Sequence, residues 1–285
     1  MNRAARAGLL AVVSGAVAWA ARCTTVMEAG MLAEYQRYVA AAEETMSARS
    51  AAPRDSAHGR AARWNISDAA FNRRIAARNG TVIHWLGAVR IPGATLAELR
   101  DVLRDYPHYD RIYRPMVFAC RKVEEEAGED RLVLGLHSTF RFAALFPQQY
   151  SFEARGTMQD PELSGDGTEL RAHLRAEEIR ESDSGTPGRT DWLEPYRDHG
   201  IMWALNAYWR AKQQSEAVYL EFETITLARS VEGFSCSIGF IPVPKAVVSS
   251  AMESLPADSV MVVLEGTKAE CQRRASGRRG GLPRR

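Results

Sequence analysis

Apolar and polar residues alternate over positions 81–91, where Ile83, Trp85, Val89 and Ile91 are interleaved with His84 and Arg90, the period-two pattern of a strand with one buried face. Pro92-Gly93 ends that strand, because proline removes a ladder donor and glycine frees the backbone to turn. Past the turn the period changes. Leu96, Leu99, Val102 and Leu103 recur at helical spacing over 94–105, with Thr95 placed to cap and Glu98 three residues on to complete a capping box. Asp105-Tyr106-Pro107 closes this helix, and a second short one is predicted over 109–113.

Six more strands follow by the same reading, at 116–124, 130–138, 149–158, 169–181, 201–212 and 217–229. The loops between them are too short for crossover helices, so the seven strands are expected to form an antiparallel meander. Two strands declare their faces. Leu170, Ala172, Leu174 and Ala176 oppose Arg171, His173, Arg175 and Glu177; Val218, Leu220 and Phe222 oppose Tyr219, Glu221 and Glu223. The apolar face needs a cover, and the segment 244–273 supplies one. Val247, Val248, Met252 and Leu255 form a stripe up to Pro256, where a break or kink is expected. Beyond it Val260, Met261, Val262, Val263 and Leu264 are apolar all round, as in a helix buried on several sides. At the other end, Met31, Leu32, Tyr35, Tyr38, Val39 and Met46 predict an amphipathic helix within 24–49; 50–60 reads as a loop and 64–78 as a short strand or helix at the edge of the domain.

The run W-x-G-A-x-x-I-P-G-A-T-L from Trp85 to Leu96, followed by Asp105-Tyr106-Pro107-His108-Tyr109 and Ile112-Tyr113-Arg114-Pro115, resembles the opening of START-like domains. That helix-grip superfamily is shared with pollen allergens and polyketide cyclases, and the likeness extends to a group of exported bacterial members of unassigned activity. It continues through Tyr208-Trp209-Arg210, Val218 to Glu223 and Ser254-Leu255-Pro256, covering most of 81–271. Glu216-Ala217 stands where that group usually has Gly-Gly, and Arg229-Ser230-Val231-Glu232 where it has Arg-Asp-Ile-Pro; both departures fall in loops. The resemblance implies an α+β helix-grip fold, with about seven antiparallel strands curved around a long C-terminal helix and an extra N-terminal helix. It also implies non-catalytic binding or transport of a hydrophobic small molecule or lipid in an internal cavity. A cyclase-like or hydrolase-like enzyme using the same cavity, and an interaction module with a filled core, are the alternatives.

Composition adds boundaries more than chemistry. The 285 residues suit one domain with flanks, and a net charge of +2 singles out no partner class. Residues 1–20 carry Arg3 and Arg6, an apolar run and the small-x-small site Ala18-Trp19-Ala20, so they are read as a signal peptide on an exported, periplasmic or secreted protein. Residues 21–78 are then the N-terminal helix and linker, 79–271 the helix-grip domain, and 272–285 a basic tail expected to be disordered. Arg273, Arg274, Arg278, Arg279, Arg284 and Arg285 in that tail suit an anionic membrane surface. Nucleic acid is not indicated, and a monomer is expected. Cys23, Cys120, Cys236 and Cys271 have no C-x-x-C spacing; Cys236 and Cys271 flank the last helix, and free thiols are expected in preference to a disulfide.

Strand parity and the resemblance give the expected pocket lining: Trp85, Leu174, Trp203, Leu205, Ala207, Leu220, Phe222, Met252 and Val263. A second arrangement sets Arg171, His173 and Arg175 against Glu221 and Glu223. It reads either as a polar clamp for a ligand anion or as cross-strand charge pairs on a solvated convex face, and the parity favours the pairs. Asp105, His108 and Asp110, among Tyr106, Tyr109 and Tyr113, form the densest reactive cluster, but consecutive residues at a turn cannot all address one substrate, so a structural turn is expected. His84, His137 and His199 lack metal-ligand spacing, and Gly165-Asp166-Gly167 is a hairpin turn, not a phosphate loop. No catalytic residue, metal or cofactor is assigned.

Overall fold

The computed structural model describes residues 24–49, 61–76, 78–126, 128–142, 146–230, 237–238, 241–242 and 245–280. The segment 1–20, Cys23, Cys236 and the last five residues lie outside these. In chain order the elements are α1 (Met31–Ala48), β1 (Ala62–Asn65), α2 (Ala69–Ala76), β2 (Gly80–Pro92), α3 (Leu96–Leu103) and α4 (Tyr109–Ile112). Then come β3 (Val117–Glu126), β4 (Glu129–Phe142), β5 (Phe146–Leu163), β6 (Glu169–Glu181), β7 (Ala204–Gln214) and β8 (Ala217–Arg229). A small pair, β9 (Ser237–Ile238) and β10 (Ile241–Pro242), precedes α5 (Lys245–Gly280).

The main sheet has eight strands in the order β1-β2-β8-β7-β6-β5-β4-β3, every neighbouring pair antiparallel. Strands β3 to β8 form the expected meander. The opening strand does not sit beside its successor: β2 pairs with β8 along its whole length, from Gly80↔Arg229 to Pro92↔Ala217. Helices α3 and α4 make the passage from β2 to β3 at the opposite edge, so a simple seven-strand meander is corrected to a crossover joined to a six-strand meander. The weak segment 64–78 supplies both a strand, β1, which extends the sheet beyond β2, and the helix α2.

The turn after β2 forms as its residues dictate. Gly93 takes φ 74°, and Thr95 Oγ1 accepts from the Glu98 amide while Glu98 Oε2 accepts from the Thr95 amide at 2.8 Å, closing the capping box. Helix α3 then buries Leu96, Leu99, Val102 and Leu103.

Two helices cover the two faces of the sheet. On the concave face α5 packs against β2, β4 and β8, and Gly87 permits the approach, since a Cβ there would sit 2.4 Å from Val260 Cγ1 and 2.7 Å from Leu264 Cδ1. Val260, Val263 and Leu264 join one large core with Val89, Leu99, Phe152 and Phe222. On the convex face α1 lays down Met31, Tyr35, Val39 and Met46 in a separate cluster with Val82, Trp203, Ala204, Tyr208, Ile225 and Leu227. The sheet is therefore buried on both sides in its centre, and every residue of β8 is buried.

Of the break or kink expected at Pro256, the break does not occur, since α5 runs across it. One expectation about α5 is corrected: the helix continues to Gly280 in place of a disordered tail from 272. The continuation has partners. Arg273 Nε donates to Glu270 Oε2 at 2.7 Å, Arg274 donates to Glu270 at 2.9 Å and also pairs with Asp105, and Ala275 is buried. Arginines in the last turns also complement the helix dipole. An open antiparallel sheet packed around a long C-terminal helix, with an added N-terminal helix, is the helix-grip arrangement.

Candidate functional site

Between the concave face and α5 lies a cavity of about 110 Å³. Strands β7 and β8 contribute Leu205, Ala207, Trp209, Phe222, Thr224 and Thr226; β5 and β6 contribute Phe152, Ala154, Leu174 and Ala176; α5 contributes Pro256, Ser259 and Val263. Tyr109 and Tyr113, from α4 and the residue after it, close one end. The alternation of the strands puts these side chains inward. The ladders Ala207↔Leu174, Ala207↔Thr224 and Trp209↔Phe222 set them in rows across the sheet.

The cavity is smaller than the ~300–1,000 Å³ usual for ligand pockets. Aromatic rings take up the rest of the space. Trp209 and Phe222 pack with centroids 4.8 Å apart, and Tyr109 stacks edge-on against Tyr113 at 4.8 Å. The volume is close to that of a dry apolar cavity able to take one benzene ring, ~150 Å³.

Of the residues expected to line the pocket, Leu174, Leu205, Ala207, Phe222 and Val263 do so. Trp203 lies on the other side of the sheet: it precedes the first residue of β7, so the strand's alternation does not reach it, and its Nε1 donates to Asp198 at 2.9 Å beneath α1. Leu220 is on the concave face but farther along β8, level with Val89 and Ala211, beyond the cavity. Trp85 is half-buried under the Arg63 guanidinium, 5.7 Å from its ring centroid, and does not reach the cavity. The side chain of Met252 lies outside the described residues. Sequence reasoning missed Tyr109, Tyr113 and Phe152, the two tyrosines being read only as part of a turn, whereas Trp209, read as one of an apolar stripe with Leu205 and Ala207, does line the cavity.

Inside the cavity the ionisable residues among those described are Tyr109, Tyr113 and His137. Burial pushes both tyrosine hydroxyls well above their ordinary range and lowers His137, so none is charged near neutral pH. Tyr109 Oη donates to the Leu103 carbonyl at 2.5 Å, and Tyr113 Oη meets Thr267 Oγ1 at 3.3 Å. Among the described lining residues no acid is paired with a base. Burial also pushes the free thiols of Cys120 and Cys271 up to about 12, away from the thiolate a nucleophile requires.

The second arrangement occupies the convex face, away from the cavity, and it is not solvated at its centre. Glu221 and Glu223 are only 2% and 3% exposed because α1 and Arg49 lie over them. His84 Nε2 meets Glu223 Oε1 at 2.8 Å, and Arg49 donates to Glu223 Oε2 at 2.8 Å. His173 bonds Asn206 at 2.9 Å and stacks on Tyr208, whereas Arg171 and Arg175 point outward and pair with Glu169 and Glu177. The five residues are thus not one clamp: Glu221 and Glu223 belong to a buried layer, Arg171 and His173 to the wall of an open polar cleft of about 600 Å³ beside α1. His137 and His199 are hydrogen-bonded too, to Ser151 at 3.1 Å and to Glu181 at 2.9 Å.

The cluster at 105–113 is a structural turn. His108 Nδ1 contacts Asp105 at 2.5 Å, Tyr106 donates to Asp130 at 2.7 Å, and Asp105 anchors Arg274 of α5. Among the described residues no group of three or more His, Cys, Asp or Glu side chains could hold a metal ion, and no helix is long and apolar enough to cross a membrane.

No protein-family model and no curated protein matches the chain. Solved structures do share its path. The Zhui aromatase/cyclase from Streptomyces sp. R1128 is 16% identical with a TM-score of 0.42, covering 68% of this chain and 95% of that one. A STAR-related lipid transfer protein from Xanthomonas axonopodis is 13% identical with a TM-score of 0.36, covering 74% and 98%. Human STARD10 is 10% identical with a TM-score of 0.40, covering 76% and 85%. At these scores the likeness carries no weight for function, which rests on the cavity.

Proposed function

We propose that this chain binds an apolar small molecule non-covalently in the cavity between its sheet and α5. The observation that supports this is the cavity itself: a space of about 110 Å³ walled by aliphatic and aromatic side chains, with no ionised group among the described lining residues. Burying apolar surface is worth roughly 25 cal/mol per Å², so such a space favours an apolar guest over water. The volume fits a single ring or a short branched chain. A longer lipid would need α5 to move outward. In the envelope location suggested by the segment 1–20, the role would be carriage or sequestration of such a molecule.

Among the described residues an enzyme working in the same cavity would have His137, Tyr109 and Tyr113 as acid or base, so the binding role is the better supported. A fully packed interaction module accounts for less, because it leaves the cavity without a purpose. Native mass spectrometry of the protein isolated from its own cells tests the reading. An added mass of an apolar molecule, lost in Ala207→Phe, is expected; a bare chain across several preparations would count against it.

A further inference from the structure

The wall of the cavity is uneven, and its smallest residues lie in a line. Gly156 of β5 pairs with Ala176 of β6, Ala176 with Leu205 of β7, and Leu174 of β6 with Ala207 of β7. All five line the cavity, so they share one face of the sheet. Leu174, Ala176, Leu205 and Ala207 therefore form a square, with the alanines on one diagonal and the leucines on the other. Directly opposite residues stand about 4.5–5.5 Å apart, and diagonal ones about 7–8 Å.

A trough results. It runs obliquely across three strands, from Gly156 over Ala176 to Ala207, and Leu174 and Leu205 narrow it from either side. At the Ala207 end it meets two rings, because Trp209 follows Ala207 by two residues on β7 and packs on its ladder partner Phe222. Ala176 and Leu205 are only half-buried although they belong to the lining under α5, so a space the size of a water molecule reaches both. A guest is thus offered length along the diagonal and little width across it. Protein interiors are packed tightly enough that a single methyl group in the wrong direction is felt.

We propose that the cavity selects its guest by shape, taking an apolar ring whose substituents lie in line in preference to one whose substituents lie side by side. Ala176 sets the length that is accepted, and Leu174 and Leu205 set the width. The ring rests at Ala207 beside Trp209 and Phe222, and a substituent in line with it lies over Ala176 toward Gly156. This rests on the cavity-binding reading above and adds the residues that determine specificity.

The test uses the full chain with benzene, p-xylene and o-xylene. The xylenes are isomers of equal apolar content, one lengthening benzene and the other widening it. Affinities are measured by NMR titration for the wild type, Ala176→Val and Leu205→Val. The wild type is expected to bind p-xylene about tenfold more tightly than o-xylene, the discrimination that one misplaced methyl group brings in an apolar pocket. Ala176→Val, which adds two methyl groups to the trough, should lower the ratio of p-xylene to benzene affinity by about tenfold, equivalent to ~1.4 kcal/mol. Leu205→Val, which trims the flank, should shift the ratio of the xylenes toward o-xylene. A substitution that only loosened the fold would weaken all three guests alike and leave both ratios where they were.

Equal binding of the two xylenes by the wild type, or binding of neither while benzene binds, would overturn the assignment by shape. An unchanged ratio of p-xylene to benzene in folded Ala176→Val, or of the xylenes in Leu205→Val, would do the same. In each of these cases benzene still binds, and the cavity reading stands. Failure of the wild type to bind benzene or either xylene would remove both proposals together.

Discussion

His84 Nε2 lies 2.8 Å from Glu223 Oε1, and the other oxygen of that carboxylate receives Arg49 at the same distance, so one buried glutamate joins β2 and β8 to the end of α1. Tyr38 of α1 completes the link through a 2.9 Å bond to His84 Nδ1. The apolar contacts of α1 hold the helix on the sheet, and this polar chain fixes where it sits.

Burial alone would raise the Glu223 carboxyl, but His84 and Arg49 outweigh it and hold the group below the ordinary carboxylate range. A carboxyl lowered in the folded state adds stability above its unfolded value, about 4.3, and that stability is lost as pH falls through the folded value. Glu223→Gln should therefore cost about 1–3 kcal/mol at pH 7, with Arg49 free to turn toward solvent. The gap between wild type and variant should narrow on acidification. Glu181 and Asp198, both raised by burial, act in the opposite sense in both proteins and cancel in the difference. Urea midpoints at pH 7 and at lower pH give the comparison; a gap that does not shrink would mean the charge pair is not what holds the layer together.

The last turns of α5 give a second expectation. Glu270 is lowered to about 2, first by its bond to Arg273 and then by Arg274, which also reaches Asp105. Truncation after Gln272 removes both arginines and the buried Ala275. It should lower stability by roughly 1 kcal/mol, at the upper end for ion pairs that are partly exposed. The loss should be largest near neutral pH and shrink as acid neutralises Glu270, leaving the part due to the buried Ala275. A thermal midpoint unchanged by the truncation would mean that these turns do not dock.

Gly266 sets the distance between α5 and α4. A Cβ there would stand 2.3 Å from the Ile112 carbonyl oxygen, which is backbone and cannot rotate away. Gly266→Ala should cost about 1–3 kcal/mol, as overpacking does. Chemical denaturation measures it. A neutral effect would show that α4 yields easily, and that the closed end of the cavity is soft.

The strands with clear alternation were legible almost to the residue: β6 and β8 begin and end where the pattern said. The capping box of α3 was equally plain, because it is local chemistry between Thr95 and Glu98. Pairing of β2 with β8 was not legible, since nothing in either strand records which partner lies across the residues 93–216 that separate them. Alternation also misled at Trp203, where the pattern was carried past the end of the strand. The face bearing Glu221 and Glu223 looked solvated because both are acidic. Its cover, α1, is remote in sequence, and Arg49 and His84 are what make burial of two carboxylates tolerable. The tail looked disordered from its charge alone; its order depends on Asp105 and Glu270, acids that compensate the arginines only once the chain is folded.

The central claim is that the space under α5 takes an apolar guest, and a titration with benzene followed by NMR on wild type and Ala207→Phe tests it most directly. Ala207 is buried, lines the cavity and lies between Leu174 and Thr224 in the ladder, so a phenyl ring at this position would fill the space from within. The variant should remain folded, within the ~1–3 kcal/mol that overpacking costs. Wild-type protein should show saturable shifts confined to residues such as Leu174, Phe222 and Val263, and Ala207→Phe should show none. No saturable shift in the wild type, or equal binding by a folded Ala207→Phe, would contradict the account.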